Sequence, residues 1–382
     1  MISAILTFIF AFLCLIVLMI IHEFGHFIIA KKFGVKVDEF GIGYPPRLFG
    51  KKIGETIYSV NLLPLGAFVK IYGEEGGVDD YRSFTGLKIW QRVLIVIGGV
   101  AAFWLAAIII FSVVFMIGAD LPLPDQNVEG FTNVRVQVLQ VALNSPASEA
   151  GLKAEDVILQ AQSQAYESAG AGSETVEINT IKEFQDFTTA HAGELITLEI
   201  KRQGGIFDVS LSPRANPPEG QGAVGISLER MGTLIEKYAW YRAPLQGAVY
   251  TWDTTVNALK GLYLVFADLL SGKGAPEGAS FAGPLGITVF LANAATYGPG
   301  FFLYFIGLIS VFIAIFNLFP IPALDGGKLI FLAIEKIKGR PVSVKVEQTI
   351  TLTFFILLIA LSLFITVKFD IPRLTDFFKY GL

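Results

Sequence analysis

The stretch "IIHEFGHFIIAKKFG" (Ile20–Gly34) closes an apolar run that carries no charge from Met1 to Ile21. His22, Glu23 and His26 interrupt it, and apolar residues then resume as far as Lys31. Ionisable groups inside such a run are costly and tend to be functional. The chain has only three histidines, and two of them fall here. On a helix the four-residue spacing puts His22 and His26 on one face, one turn apart, able to share a metal ion. Zinc suits two imidazoles plus a carboxylate, with a fourth position left for water. Glu23 would then take a proton from that water as general base.

The rest of the chain agrees with a membrane setting. Of 382 residues, 53% are hydrophobic and 16% charged, with a mean hydropathy of +0.60. A net charge of −4 argues against nucleic acid as a partner. The single cysteine, Cys14, cannot form an intramolecular disulfide. The N-terminal run lacks a basic start and a small-residue cleavage site, so it reads as a retained span rather than a signal peptide.

Four segments reach the length of about 20 apolar residues that a membrane helix needs. They are roughly 4–29, 93–119, 301–319 (within the uncharged stretch Gly278–Leu324) and 349–367. Lys and Arg crowd the connections 30–92 and 326–348, which places both on the cytoplasmic side. Both termini and the long connection between spans two and three then lie on the other side, with HEFGH toward the cytoplasmic end of span one. The expected fold is a polytopic α-helical membrane protein with four transmembrane helices and an inserted β-rich domain.

The expected organisation is an N-terminal membrane part (1–124), the soluble domain (125–228), an amphipathic linker helix (229–277) and a C-terminal membrane part (278–382). In the soluble domain, "VRVQVLQV" (Val134–Val141), "LITLEIKR" (Leu195–Arg202) and "FDVSLSP" (Phe207–Pro213) read as strands, the last two joined at Gly204-Gly205. Gln164–Asn179 reads as an exposed loop, and His191 as a surface histidine. From Leu245 to Leu270, apolar residues recur at alternating four- and three-residue steps. Two readings are open for that stripe: a face packed on the protein, or a face lying on the membrane.

The third ligand has one good candidate. In "NLFPIPALDGGKLI" (Asn317–Ile330), Pro320 and Pro322 break a helix, and Asp325 follows the break. Gly326-Gly327 allow close backbone approach. A carboxylate at that depth would be costly unless paired or bound to metal. Asn317 is a candidate to hydrogen-bond the substrate or a reaction oxyanion.

With HEFGH, N-x-x-P-x-P-x-L-D-G-G and one intervening soluble domain, essentially the whole chain resembles the site-2 protease family of intramembrane zinc metalloproteases, of the bacterial RIP metalloprotease type. The resemblance implies Zn²⁺ held by His22, His26 and Asp325, Glu23 as catalytic base, and Asn317 as a substrate-positioning residue. "NSPASEAGLKAEDVIL" (Asn144–Leu159) resembles the binding-loop region of a PDZ domain, and "FAGPLGI" (Phe281–Ile287) a family segment before the third span. "FGIGYPPRLFG" and "YSVNLLPLGAFVKIYGE" resemble the family's membrane-associated β region after the first span. The chain departs from enterobacterial members in having one PDZ-like domain where they have two.

The implied activity is endopeptidase cleavage of transmembrane segments of single-pass membrane proteins in a bacterial inner membrane. Membrane-anchored anti-sigma factors, after a first cleavage, and remnant signal peptides are the implied substrates. A substrate helix already satisfies its own backbone amides, so its scissile carbonyl is hard to reach. An edge strand over Val69, Lys70, Ile71 and Tyr72 could pair with an unwound substrate and offset that cost. The PDZ-like domain is expected to exclude bulky substrates. A transporter would call for inverted repeats and polar residues in several spans, and neither is present. A catalytically dead scaffold would lack Glu23 or a ligand.

Overall fold

The computed structural model describes residues 2–76, 78, 80–123, 125, 131–142, 144–163, 174–202, 204–218, 221–234, 237–271 and 281–380. The loop expected over Gln164–Asn179 therefore lies mostly outside the described residues. The chain forms two compact units, one of residues 1–116 and 238–382, the other of 117–237.

Among the described residues of the first unit, four helical stretches are long and apolar enough to cross a membrane. Helix α1 (Ile2–Lys32) ends where Gly34 adopts φ +77 and the Val35 N–H returns to the Ala30 carbonyl at 3.0 Å. That left-handed turn would strain any residue with a Cβ, and it stops the helix just past Lys31 and Lys32. After α1 come strands β1 (Val37–Ile53) and β2 (Thr56–Ile71), then helix α2 (Ile89–Ile117). β1 pairs with β2 twice over: Phe40 faces both Val69 and Tyr58, and Tyr58 also faces Lys51. The two strands thus fold into four rows, ordered 67–71, 37–44, 56–63 and 47–53. Val69–Ile71 forms one outer row, with no further strand beside it among the described residues. Phe24 and Phe27 of α1 pack on Phe40, and Phe27 also on Tyr58, so the sheet sits directly against the HEFGH turn.

The second unit contains strands β3 (Asp120–Pro122) and β4 (Phe131–Val141), helix α3 (Pro146–Glu149), and strands β5 (Val157–Ser163) and β6 (Thr175–Glu177). Helix α4 (Ile181–Ala190) and strands β7 (Ile196–Arg202), β8 (Gly205–Leu211) and β9 (Ile226–Leu234) follow. Its sheet has the order β3-β9-β4-β5-β7-β8, with β6 paired to β5. One apolar cluster, including Val136, Ile158, Phe184, Leu198 and Leu211, forms its core. β9 runs across the expected boundary at residue 228. His191 stands between Glu194, at 2.8 Å, and Glu174, at 3.4 Å.

Back in the first unit, helix α5 (Ala243–Leu270) decides between the two readings of its stripe. Ala243, Gly247, Thr251 and Thr255 are buried, whereas Leu245, Trp252 and Tyr263 are each at least 70% exposed. A Cβ on Gly247 would lie 2.5 Å from Ser112 Oγ of α2, so the small and hydroxyl face packs and the apolar stripe points outward. The packed reading of the stripe is thereby overturned.

Helices α6 (Pro284–Thr296) and α7 (Pro299–Asn317) divide the long uncharged stretch, and α8 (Asp325–Lys338) follows. The last helix, α9 (Val344–Ile365), continues through a π-turn (Thr366–Asp370) into α10 (Ile371–Tyr380). A core including Leu18, Phe103, Leu291, Phe302 and Phe377 ties α1, α2, α6, α7 and α10 together. No residue of α9 is buried.

Candidate metal centre

α1 and α2 meet at glycines. A Cβ on Gly25 would lie 2.2 Å from the Gly98 carbonyl oxygen, and one on Gly99 would lie 2.2 Å from His26 Nε2. Small residues are what let membrane helices approach this closely. Behind the histidines, His22 stacks on Phe103 with ring centroids 4.7 Å apart. His26 Nδ1 lies 2.8 Å from the Ile95 carbonyl oxygen. That acceptor demands an Nδ1–H donor, which leaves Nε2 as the free lone pair.

The carboxylate comes from a segment about 300 residues further along the chain. α7 ends at Asn317, a turn over Leu318–Leu324 follows, and Asp325 opens α8. A Cβ on Gly326 would meet the Phe319 carbonyl oxygen at 2.1 Å, and one on Gly327 the Ile321 carbonyl oxygen at 2.4 Å. The two glycines therefore let the turn fold back onto the start of α8, next to Asp325.

Three atoms converge. His22 Nε2 and His26 Nε2 are 3.2 Å apart, and each is 3.4 Å from Asp325 Oδ2. Their side chains are 6%, 11% and 13% exposed. Asp325 Oδ2 has no hydrogen-bond partner. With His26 Nε2 and Asp325 Oδ2 both acceptors, a single proton on His22 cannot satisfy the group, whereas a cation at its centre would. Two imidazoles and a carboxylate could hold zinc with a position to spare. Glu23 Oε1 lies 3.9 Å from His22 Nε2, beside this set but outside it.

Asn317 is half-buried at the last residue of α7. Val69, Lys70 and Ile71 lie on the outer row of the sheet. Tyr72 departs from the expectation: it falls just past β2, and its backbone is already engaged. Its N–H donates to the Lys36 carbonyl at 2.9 Å, and its carbonyl accepts from the Phe84 N–H at 2.8 Å. A folded-back turn satisfies those groups and leaves none to offer a substrate. Gly98-Gly99, Phe103 and the Ile95 carbonyl also shape the site, and none of them stands out as a site residue from motif or spacing. The paired glycines inside an apolar span were the one available signal.

A HExxH helix facing a buried carboxylate among membrane-spanning helices is the build of a metal-dependent peptidase set in a bilayer. The sequence profile of peptidase family M50 matches residues 10–361, and the chain belongs to that family. It is 33% identical over 360 residues to a Clostridium perfringens protein provisionally named a zinc metalloprotease, covering 94% of this chain and 97% of that one. A similarly named Clostridium acetobutylicum protein is 32% identical over 352 residues, covering 92% and 94%. The regulator of sigma-E protease RseP of Escherichia coli is 30% identical over 432 aligned positions, covering 91% and 95%. The chain is a metalloendopeptidase with zinc as its cofactor.

Proposed function

We propose that the chain is an intramembrane endopeptidase that cuts transmembrane segments of single-pass membrane proteins, with His22, His26 and Asp325 as the zinc ligands and Glu23 as the base. The observation that carries this reading is the convergence of two Nε2 atoms and one Oδ2 within 3.4 Å of each other. When bound, zinc supplies an electrophile that acidifies water and polarises a carbonyl. Glu23 takes the proton of the attacking water and delivers it to the departing amide nitrogen. Asn317 holds the substrate backbone. The main chain of Val69 and Lys70 and the Ile71 N–H pair with an unwound substrate segment, the Ile71 carbonyl already accepting from the Glu74 N–H at 3.2 Å, and replace hydrogen bonds lost as the substrate helix opens.

The test uses the purified full chain and a single-pass substrate. Glu23→Gln should keep its zinc and lose on the order of 10²–10⁴-fold in turnover. Asp325→Asn and His22→Ala should lose the metal itself. Retained cleavage in Glu23→Gln, or full zinc occupancy in Asp325→Asn, overturns the assignment.

The excess of Lys and Arg in 30–92 and 326–348 supports an orientation in a bacterial inner membrane with both termini and the β-rich unit extracytoplasmic. The outward Leu48, Phe49, Ile53, Leu62 and Leu63 support a β hairpin that associates with the membrane. The β-rich unit is read as a PDZ-like domain that excludes bulky substrates. Membrane-anchored anti-sigma factors trimmed by a prior cleavage, and remnant signal peptides, are the substrates that the family resemblance favours. Deleting residues 125–215 should then admit untrimmed substrates; continued resistance would remove the exclusion role.

A further inference from the structure

α8 carries Asp325 on its first turn and is tied to its surroundings by two ion pairs. Lys328, one turn beyond Asp325, pairs with Glu74 in the turn that follows β2. Glu335 forms a two-pronged pair with Arg92 near the start of α2. The seven-residue spacing of Lys328 and Glu335 puts both on one face of α8. The two ties differ in what they reach. Arg92 belongs to the helix that backs the two histidines, whereas Glu74 belongs to the chain that has just left the outer row of the sheet.

That outer row is fastened to α8 by more than charge. Val69 and Ile71 share an apolar cluster with Leu329 and Leu332. A cleft of about 450 Å³ runs along the outer row, lined by Val69, Lys70, Tyr72 and Glu74. A second cavity of about 390 Å³ is lined by Arg92, Lys328, Glu335 and again Glu74. Glu74 lines both, so its pair with Lys328 stands where they meet. Glu74 is 20% exposed and the Lys328 side chain 42%, so the pair is sheltered from solvent on the Glu74 side only.

We propose that Glu74 and Lys328 are positioning residues that set the register of cleavage. A substrate strand advances about 3.3 Å per residue along its partner. The tie between the outer row and the helix bearing Asp325 therefore decides which substrate carbonyl, counted from the strand-paired residues, reaches the metal-ligand set. Without it the row and α8 can shift against each other, and neighbouring bonds come within reach. This deepens the proposed function and rests on its reading of Val69–Ile71 and of Asp325.

The experiment uses the full chain in proteoliposomes with a single-pass substrate, its products mapped by mass spectrometry. Lys328→Met and Glu74→Gln should spread cleavage over neighbouring bonds and lower kcat/KM on the order of tenfold to a hundredfold. Zinc content should hold, and hydrogen exchange at Val69–Ile71 should quicken. The double reversal Glu74→Lys/Lys328→Glu should restore one dominant cleavage site. Cleavage at the wild-type bond alone in both single variants overturns the register role. A reversal that leaves the sites spread overturns the pairing. Lys70→Pro separates the two levels: unchanged cleavage there sinks the strand-pairing reading underneath, whereas lost cleavage there with unshifted sites in Lys328→Met sinks only the register claim.

Discussion

Gly99 of α2 lies against His26 of α1 so closely that a Cβ at position 99 would stand 2.2 Å from Nε2 and, on the other ring, 2.6 Å from His22 Cε1. The atom it would strike is one of the three that face each other in the candidate centre. Gly99→Ala should therefore cost the protein its metal without altering any ligand. Overpacking of this kind costs about 1–3 kcal/mol in stability, and the three atoms nearest the added Cβ all belong to the two histidine rings. Zinc analysis of purified Gly99→Ala decides the matter; occupancy equal to wild type would show that the rings relax without losing the site.

Asp370 carries a second prediction, about the frame rather than the chemistry. It is fully buried in the π-turn, and its Oδ1 accepts from the Gly283 N–H at 3.0 Å, at the N-cap of α6. Arg373 stands 3.5 Å from the same oxygen. A carboxylate there satisfies a free helix-start donor and complements the helix dipole. Cβ atoms on Gly283 and Gly286 would fall within 2.5 Å of the carboxylate oxygens, which gives the F-A-G-P-L-G-I segment its glycines. Asp370→Ala should lower stability by about 2 kcal/mol, as befits a lost charged hydrogen bond, read as an earlier thermal transition in detergent. An unmoved transition would mean that α10 is held by Phe377 and its apolar neighbours alone.

A pH dependence should arise in the β-rich unit. Burial alone would raise the Asp120 carboxyl, but hydrogen bonds from Thr233 Oγ1 and Arg135, each at 2.5 Å, hold it below its ordinary value. A carboxyl lowered by folding stabilises fully above its unfolded pKa and loses that contribution as pH falls through the folded one. Hydrogen exchange at Leu121 and Thr233 should accordingly quicken as pH is taken below about 4, beyond the intrinsic change in rate. Asp120→Asn should remove that extra dependence and cost about 1 kcal/mol at neutral pH. Identical profiles for the two proteins would count against the linkage.

How far the sequence could be read varied with the kind of signal. The i, i+4 histidines and the carboxylate after a proline break were legible because the cost of charge in an apolar run singles them out. The start of α7 was legible too, at Gly298-Pro299-Gly300, but the helix α6 before it was not, since its 13 residues are uncharged and too few to span a membrane. The stripe on α5 was visible, but its direction was not. In water an apolar stripe would have to turn inward; in a membrane, small faces pack and apolar ones meet lipid. Tyr72 looked like strand because its neighbours do, and only the bonds to Lys36 and Phe84 remove it.

By itself, then, the amino-acid order determined which groups could do chemistry and that they lie within or beside segments apolar enough to cross a bilayer, because burial of charge is penalised wherever the rest of the chain goes. Tertiary structure alone decided how closely the start of the helix at Asp325 approaches the one containing His22 and His26, and that Gly25, Gly98 and Gly99 make the room. Distances between segments separated by about 300 residues follow from packing, and no local pattern encodes them.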